Sequence, residues 1–459
     1  MAPSIVVIGA GPAGLRAAET LVDAGLRPTV IDEAPASGGQ IYRRPPAAIR
    51  RDPKQLYGFE ADKATAQHRA FDRLKDKIDH WSKASVWSVA ARTLNVATEA
   101  GLKELGWDCL ILATGAMDRV IPFDGWTLPG VFTLGGAQVA LKYQACAVGG
   151  RPVFVGTGPL LYLVAYQYAA AGVDVRAVLD TAPPAAKWRA MPGLARGGRT
   201  FLKGLSYVLR LHMRGIALAS GVRPIAAVPG PHGSVSGLIW RDARGRERRT
   251  DCDAVATGFG LRSETQLADL CGLSFAFDAL QRQWLPIQDA DGRADVEGVY
   301  LAGDGAAIKG ADAAEISGAR AAHALLYDLG RTGSAEQIER LNRRLARFEP
   351  FRRSLEAEAF PFPSDLAVDA ADDLMVCRCE AVTAGELRRS VRVLGATEIN
   401  RAKAFTRLGM GRCQGRVCGA AAAEILADSL GVPLETVGRL RGQAPVKPLP
   451  MGAFLDGAA

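Results

Sequence analysis

The chain is poor in the residues that carry acid–base catalysis, with only five histidines among 459 residues. Neither His68 nor His80 stands in a recognisable constellation of acid and nucleophile. Both read as surface helix residues, and no catalytic general base can be assigned. Long apolar runs are also missing: the longest, about 159–175, is broken by Tyr162, Tyr166, Gln167, Tyr168 and Asp174 and falls short of the roughly 20 residues that cross a bilayer. The first residues enter a strand, Ser4-Ile5-Val6-Val7-Ile8, without the charged segment, apolar core and small-residue cleavage site of an export signal. The expectation is a cytoplasmic protein with no integral membrane segment.

A block of one charge is absent as well. The net charge is +8, but arginine is scattered along the chain, which argues against nucleic acid as a partner. The most basic stretch, Lys187 to Arg214 with Arg189, Arg196, Arg199, Lys203 and Arg210, reads first as a solvated amphipathic face, with docking of an acidic partner as the alternative. A composition of 48% hydrophobic and 23% charged residues is that of an ordinary globular chain of roughly two to four domains.

What is present is an internal repeat. Val6-Val7-Ile8-Gly9-Ala10-Gly11-Pro12 returns as Val153-Phe154-Val155-Gly156-Thr157-Gly158-Pro159, and in the same register Gly25 falls on Gly172 and Glu33 on Asp180. Strand, tight turn, helix and acidic strand end recur, so two nucleotide-binding βαβ units are implied. In the first, Gly9 makes the turn, Gly11 admits a diphosphate to the backbone, and Gly14 lets helix and strand pack closely. Pro12 suits a helix start, whose free N–H groups attract phosphate. Glu33 can accept hydrogen bonds from ribose hydroxyls and would repel a 2′-phosphate.

The second copy keeps Gly156 and Gly158 but has Leu161 where the third glycine is expected. Asp180 favours an unphosphorylated ribose, hence NAD(H) if a nucleotide binds there; the alternative is an empty or repurposed pocket. Further on, Cys109-Leu110-Ile111-Leu112-Ala113-Thr114-Gly115 and Asp253-Ala254-Val255-Ala256-Thr257-Gly258 supply each unit with a partner strand. Gly298 to Gly305 makes another strand and turn before an Ala/Gly-rich helix around 316–326.

Four of the eight cysteines cluster as Cys377-x-Cys379, then 33 residues, then Cys413-x4-Cys418. The C-x-C half is unfavourable for chelating one zinc ion tetrahedrally, whereas two irons divide the ligands into pairs. A [2Fe-2S] cluster, zinc and free thiols are the three readings, in that order. Gly411, Gly415 and Gly419 offer N–H groups to a cluster's sulfurs. Cys109, Cys146, Cys252 and Cys271 read as isolated thiols.

These motifs carry resemblances. Gly38-Gly39-Gln40, Ala113-Thr114-Gly115 and Ala302-Gly303-Asp304 resemble the flavoproteins related to glutathione and thioredoxin reductases, which implies FAD at the first site, with Gly39, Gln40, Thr114, Gly115, Gly303 and Asp304 beside it. No cysteine pair follows Gly39 or adjoins Gly156, so the dithiol chemistry of those reductases is not expected. The tail resembles the bacterioferritin-associated ferredoxin-like [2Fe-2S] domain, departing from it in the longer Cys413–Cys418 gap.

With the Gly38-Gly39-Gln40-Ile41-Tyr42-Arg43 and Trp126-Thr127-Leu128-Pro129-Gly130-Val131 segments, the whole chain resembles the opine oxidase A-subunit family. Its relatives include hydroxyproline dehydrogenase alpha subunits, the flavoprotein subunit of hydrogen cyanide synthase and, more distantly, sarcosine oxidase alpha. The resemblance implies an α/β fold, a glutathione reductase-like pair of dinucleotide-binding domains plus a small, mostly α-helical [2Fe-2S] domain. The expected division is an FAD-binding domain at 1–120 and 255–330, an inserted NAD-binding-like domain at 121–254, a linker at 331–370 and the cluster domain at 371–459.

The same resemblance implies a hetero-oligomer in which a glycine-oxidase-like, FAD-containing beta subunit is the main partner. It also implies FMN near the interface and a small ferredoxin-like subunit. The expected function is electron transfer within an enzyme that oxidises CH–NH or CH–NH2 donors. The competing reading is a stand-alone NADH-dependent flavin/[2Fe-2S] reductase.

Overall fold

Short apolar strands, each closed by a small-residue turn, organise the chain around two parallel sheets. The structure is a computed structural model that describes residues 3–454. In the first sheet the strands Val299–Leu301, Cys109–Leu112, Ile5–Ile8, Thr29–Asp32 and Asp79–Ser82 lie side by side in that order, all parallel. Ile5–Ile8 is buried along its whole length, as expected of a strand covered on both faces. Its near face is covered by the helices Pro12–Asp23 and Ala311–Asp328. They approach so closely that a methyl group on Gly318 would stand 2.0 Å from the Ala13 carbonyl oxygen.

The second sheet has the order Ala217–Ser220, Ala177–Asp180, Pro152–Thr157, Ala254–Phe259, Val131–Thr133, again parallel throughout. Ala254–Phe259 pairs with Pro152–Thr157 over six residues, so the second sheet extends past the expected boundary at 254/255. The chain leaves the first unit through Ala116–Asp118 and returns through Leu261–Ser263, and these two strands pair antiparallel. Two crossings held together in this way make one rigid neck between the sheets.

Lys142 closes the second sheet's helix Leu134–Lys142 and reaches across to the first unit, donating to the Ile41 carbonyl oxygen at 2.9 Å. Burial lowers its pKa to about 7. The unfolded state therefore binds the extra proton between about pH 7 and the ordinary lysine range, and stability rises with pH across that window by up to about 1.4 kcal/mol per pH unit. Lys142→Met should raise the chemical-denaturation midpoint at pH 6, with the gain shrinking toward pH 10.

The segment expected as a linker is packed structure. Helix Ser334–Ala346 buries Ile338, Leu341 and Leu345 against helix Ala311–Asp328. Glu349–Arg353 continues into a π-helical turn, Ser354–Ala359, which ends just ahead of Pro361 and Pro363 and lies on helix Pro184–Ala195. The tail folds as a small hairpin, Met375–Cys377 with Val382–Thr383, and the helices Ala384–Arg392, Ile399–Thr406 and Gly419–Leu430. Its core takes in Ile121 and Phe259 from the body of the chain. The tail is therefore docked, and after Val437 the chain runs back to place Val446 in the core beneath the first sheet.

Candidate flavin cradle and cysteine centre

At the first cradle, Gly9 follows its strand with φ +104°, and Gly11 caps helix Pro12–Asp23 with extended backbone and no side-chain hydrogen bond. The helix N-terminus is thus left to a ligand. The Gly38–Gly39 turn folds over it: Gly38 N–H donates to the Ala10 carbonyl oxygen at 2.9 Å, and a methyl on Gly39 would stand 3.0 Å from Gly11 Cα. Ser37 Oγ is buried beside this turn without a partner, as suits a group awaiting a polar ligand. These features fit a dinucleotide diphosphate.

Asp32, which the motif alone does not reveal, holds the turn in place. Its carboxylate accepts from Ala10 N–H at 2.5 Å and from Ala34 N–H at 2.6 Å. Burial raises its pKa, and the two amide donors act in the opposite direction. Glu33 is exposed and accepts from Ser85 Oγ and from Lys447 of the returning tail at 3.0 Å. Gln40 is exposed, with Oε1 accepting from Arg43. At the opposite end Asp304 Oδ1 accepts from the amides of Lys309 and Gly310 at 2.8 and 3.0 Å, and burial raises its pKa. Gly303 N–H donates to Ser317 Oγ. Thr114 and Gly115 sit at the neck, where Thr114 Oγ1 donates to the Glu264 carbonyl oxygen at 2.6 Å and Glu264 N–H donates to the Gly115 carbonyl oxygen at 3.0 Å.

The second cradle has the same backbone, with Gly156 at φ +146° and Gly158 at +99°, but its acid is already occupied. Asp180 is fully buried and accepts from Tyr162 Oη at 2.7 Å and Ala182 N–H at 2.8 Å. It also pairs with Lys187 at 2.5 Å. Phe360, delivered by the π-helical segment, packs on Tyr162 and on the Lys187 ammonium. Leu161, standing where the third glycine was expected, is wholly buried in the core.

The four tail cysteines come together from the hairpin and from the loop before helix Gly419–Leu430. Contacts between their thiols run Cys377–Cys418–Cys413–Cys379. Among the described residues no set of side chains is gathered around a single-ion centre. Cys418 contact lowers the Cys377 pKa to about 6 and that of Cys413 to about 5, while Cys418 itself is pushed well up by those two neighbours. Backbone amides of Gly409, Glu380 and Cys379 face Cys377, and those of Val417 and Gly415 face Cys413. This donor set, four convergent thiols ringed by amides, fits a sulfur-ligated cluster. Gly419, unlike the expectation for it, turns its N–H away from the cysteines and donates to the Gly415 carbonyl oxygen at 2.9 Å.

Neither histidine lies on an exposed helix face. His68 is half-buried with Nε2 2.8 Å from the Tyr42 carbonyl oxygen, and His80 lies on strand Asp79–Ser82, its ring edge-on to Phe71. Burial lowers the pKa of both.

A single residue joins cradle and cysteine loop. Glu264, whose backbone holds Thr114 and Gly115, also pairs through its carboxylate with Arg416 at 2.6 Å. Arg416 lies between two of the clustered cysteines and donates to the Cys413 and Val446 carbonyl oxygens at 3.4 and 2.6 Å. Gln266 adds a bond from Nε2 to the Gln414 carbonyl oxygen at 2.6 Å. These contacts span about 150 residues of sequence, and no local pattern announces them. No helix among the described residues is long and apolar enough to cross a membrane.

Comparison with known proteins agrees with this layout. Residues 3–324 match the pyridine nucleotide-disulphide oxidoreductase family, and residues 375–428 match the BFD-like [2Fe-2S] binding domain. The chain is 38% identical to the opine oxidase A-subunit of Agrobacterium tumefaciens (strain Ach5), covering 97% of this chain and 90% of that one. It is 34% identical to hydrogen cyanide synthase subunit HcnB of Pseudomonas aeruginosa, covering 98% and 97%. Among solved structures, L-proline dehydrogenase from P. horikoshii superposes with a TM-score of 0.70 at 21% identity, covering 98% of this chain and 79% of that one. That last likeness speaks for the fold.

Proposed function

Because the chain belongs to the opine oxidase A-subunit family of flavin-dependent oxidoreductases with a [2Fe-2S] domain, we propose that it is the electron-transfer subunit of a multi-subunit dehydrogenase or oxidase acting on an amino acid, imino acid or opine. The observation that carries this reading is the Glu264 junction, which ties the first cradle to the cysteine loop through one residue. A flavin takes up two electrons together and a [2Fe-2S] cluster passes them singly, so a chain holding both converts one mode into the other.

In this reading Gly9, Gly11, Pro12 and Gly14 take the FAD diphosphate and Glu33 the adenosine ribose. Gly39, Gln40, Thr114, Gly115, Gly303 and Asp304 line the remainder of the cofactor, and Cys377, Cys379, Cys413 and Cys418 hold the cluster. The neck strands Ala116–Asp118 and Leu261–Ser263 divide the FAD-binding unit from the inserted one. Substrate oxidation belongs to a glycine-oxidase-like beta subunit, with FMN near the interface and a small ferredoxin-like subunit completing the complex.

The surface supports a permanent partner. Leu202, Leu205, Leu209 and Met213 of helix Arg199–Met213 are 63%, 45%, 58% and 75% exposed. At about 100° per residue they form one apolar stripe, with Arg199, Lys203, Arg210 and Arg214 along its edge. From Thr181 to Arg241 there is no acidic residue. The helix is amphipathic, as its sequence reads, but its outward face is apolar and basic, which favours the docking alternative and suits a partner with an apolar patch rimmed by carboxylates. Leu205→Asp combined with Leu209→Asp should abolish co-purification with the beta subunit while leaving flavin and iron contents unchanged.

The Asp180–Lys187 pair weighs against the stand-alone NADH reductase, since a ribose would have to displace a buried ion pair. The deciding experiment is anaerobic purification of the chain alone, with flavin and iron analysis and spectra before and after NADH, followed by co-expression with the beta subunit. FAD with two irons, no bleaching by NADH, and amine oxidation only in the complex is the expected result. Fast flavin reduction by NADH without a partner would overturn the proposal.

A further inference from the structure

We propose that Arg262, on the neck strand Leu261–Ser263, sets the reduction potential of the cysteine centre by placing a partly buried positive charge beside it. This rests on the [2Fe-2S] reading above. Arg262 Nη1 is buried and has no hydrogen-bond partner, and a methyl on Gly419, the residue after Cys418, would stand 3.5 Å from it. The other guanidiniums around the same small cavity between neck and tail have partners. Arg282 makes a bidentate pair with Glu424, Arg416 pairs with Glu264, Arg439 pairs with Asp269, and Arg119 donates to the Gln281 carbonyl oxygen and lies over the Phe362 ring.

Glu264, two residues further on and just past the strand's end, is taken by Arg416, which leaves Arg262 without a carboxylate of its own. A buried guanidinium N–H without an acceptor is costly unless something anionic faces it. Burial lowers the Arg262 pKa, and the Gly419 contact puts Nη1 beside the residue that follows Cys418, at the edge of the cysteine loop. A cluster held there by four thiolates would supply the counter-charge that no carboxylate provides.

Adding one electron to a [2Fe-2S] centre held by four thiolates adds one negative charge. A fixed cation beside it stabilises the reduced form more than the oxidised one, which raises the potential. The cation comes from the flavin-binding part of the chain, so the potential depends on the tail being docked on the neck. A tail detached from Arg262 becomes a poorer acceptor.

The test is an anaerobic redox titration of the full-length chain with dithionite as electron donor, following the reduced centre by electron paramagnetic resonance. Arg262→Gln should lower the equilibrium constant for one-electron reduction about tenfold, which is about 59 mV for a one-electron couple. Arg262→Lys, which keeps the charge, should stay within about threefold of the parent. Glu264→Gln, which removes a negative charge and frees Arg416, should move the potential the opposite way, upward.

A structural role would instead shift Arg262→Gln and Glu264→Gln in the same direction, by loosening the docked tail. Same-sign shifts, or an unchanged potential in Arg262→Gln with full iron content, would overturn the proposal while leaving the cluster reading intact. A parent protein with no iron and no resonance signal would overturn both. If Arg262→Gln fails to retain iron, the upward shift of Glu264→Gln and the near-parental value of Arg262→Lys decide the matter.

Discussion

Replacing Cys413 with serine should abolish the iron–sulfur absorption and remove the two irons per chain, while the flavin spectrum and flavin content stay as in the parent. Cys413 is an inner member of the row of thiols: it touches both Cys418 and Cys379 and faces the amides of Val417 and Gly415. A serine hydroxyl is a harder donor and ionises far less readily than this cysteine, whose pKa is held at about 5 chiefly by Cys418. Iron–sulfur centres select soft thiolate ligands, so serine at this position costs most of the affinity. Flavin retention is expected because the first cradle is built from residues that make no contact with Cys413. The companion readout is turnover of the assembled complex, which should fall by two orders of magnitude or more with the natural acceptor. An electron carrier that draws directly on the beta-subunit flavin should still be reduced. Retention of two irons in Cys413→Ser would remove Cys413 from the ligand set.

The parts of this molecule that were legible in the sequence are those specified within about 30 residues. Val6 to Gly14 and its echo at Val153 to Pro159 are strand, turn and helix start in one stretch, and the sheets place both where the pattern puts them. The C-x-C and C-x4-C pairs are likewise local, and the hairpin and loop bring them together.

What was not legible depends on distant pairing. Asp32 and Glu33 are adjacent acids, and only the fold shows that Asp32 turns inward to the Ala10 amide while Glu33 faces out toward Lys447. The second cradle's acid looks free in the sequence because its partners, Tyr162 and Lys187, carry no motif. The extent of the inserted unit depends on Ala254–Phe259 choosing its sheet, and that choice is made by register with Pro152–Thr157. The 331–370 segment, with its Arg/Glu-laced helix and paired prolines, looks like a tether. It is anchored by apolar residues whose partners lie far away in sequence, Ala313 and Ile316 for Leu341 and Leu345, and Ala190 and Leu194 for Ala359.

Gly14→Val should abolish FAD binding and destabilise the protein by about 3 kcal/mol or more. Gly14 has ordinary helical backbone, so the effect has nothing to do with left-handed conformation; it is a matter of space. A Cβ there would lie 1.7 Å from the Gly9 carbonyl oxygen and 3.4 Å from Val7 Cγ1. Both neighbours are fixed: Gly9 donates to the Ile31 carbonyl oxygen at 2.7 Å, and Val7 is wholly buried in the central strand. The helix must therefore move outward. On its far side it meets helix Ala311–Asp328 at the Ala13–Gly318 contact, where no room is left. Overpacking of this kind ordinarily costs about 1–3 kcal/mol, and here a displaced backbone adds to it. Displacing the helix also carries its N-terminal amides away from the diphosphate position, so flavin is lost even from molecules that remain folded. Gly25→Ala in the turn after the same helix is the control. Its methyl would meet nothing within 4 Å, although φ there is +79°, so only the backbone penalty of about 1 kcal/mol should appear, with flavin retained. Thermal unfolding and flavin released per chain, measured on both variants, separate the two outcomes. Full flavin occupancy in Gly14→Val would show that the helix yields without moving its first turn.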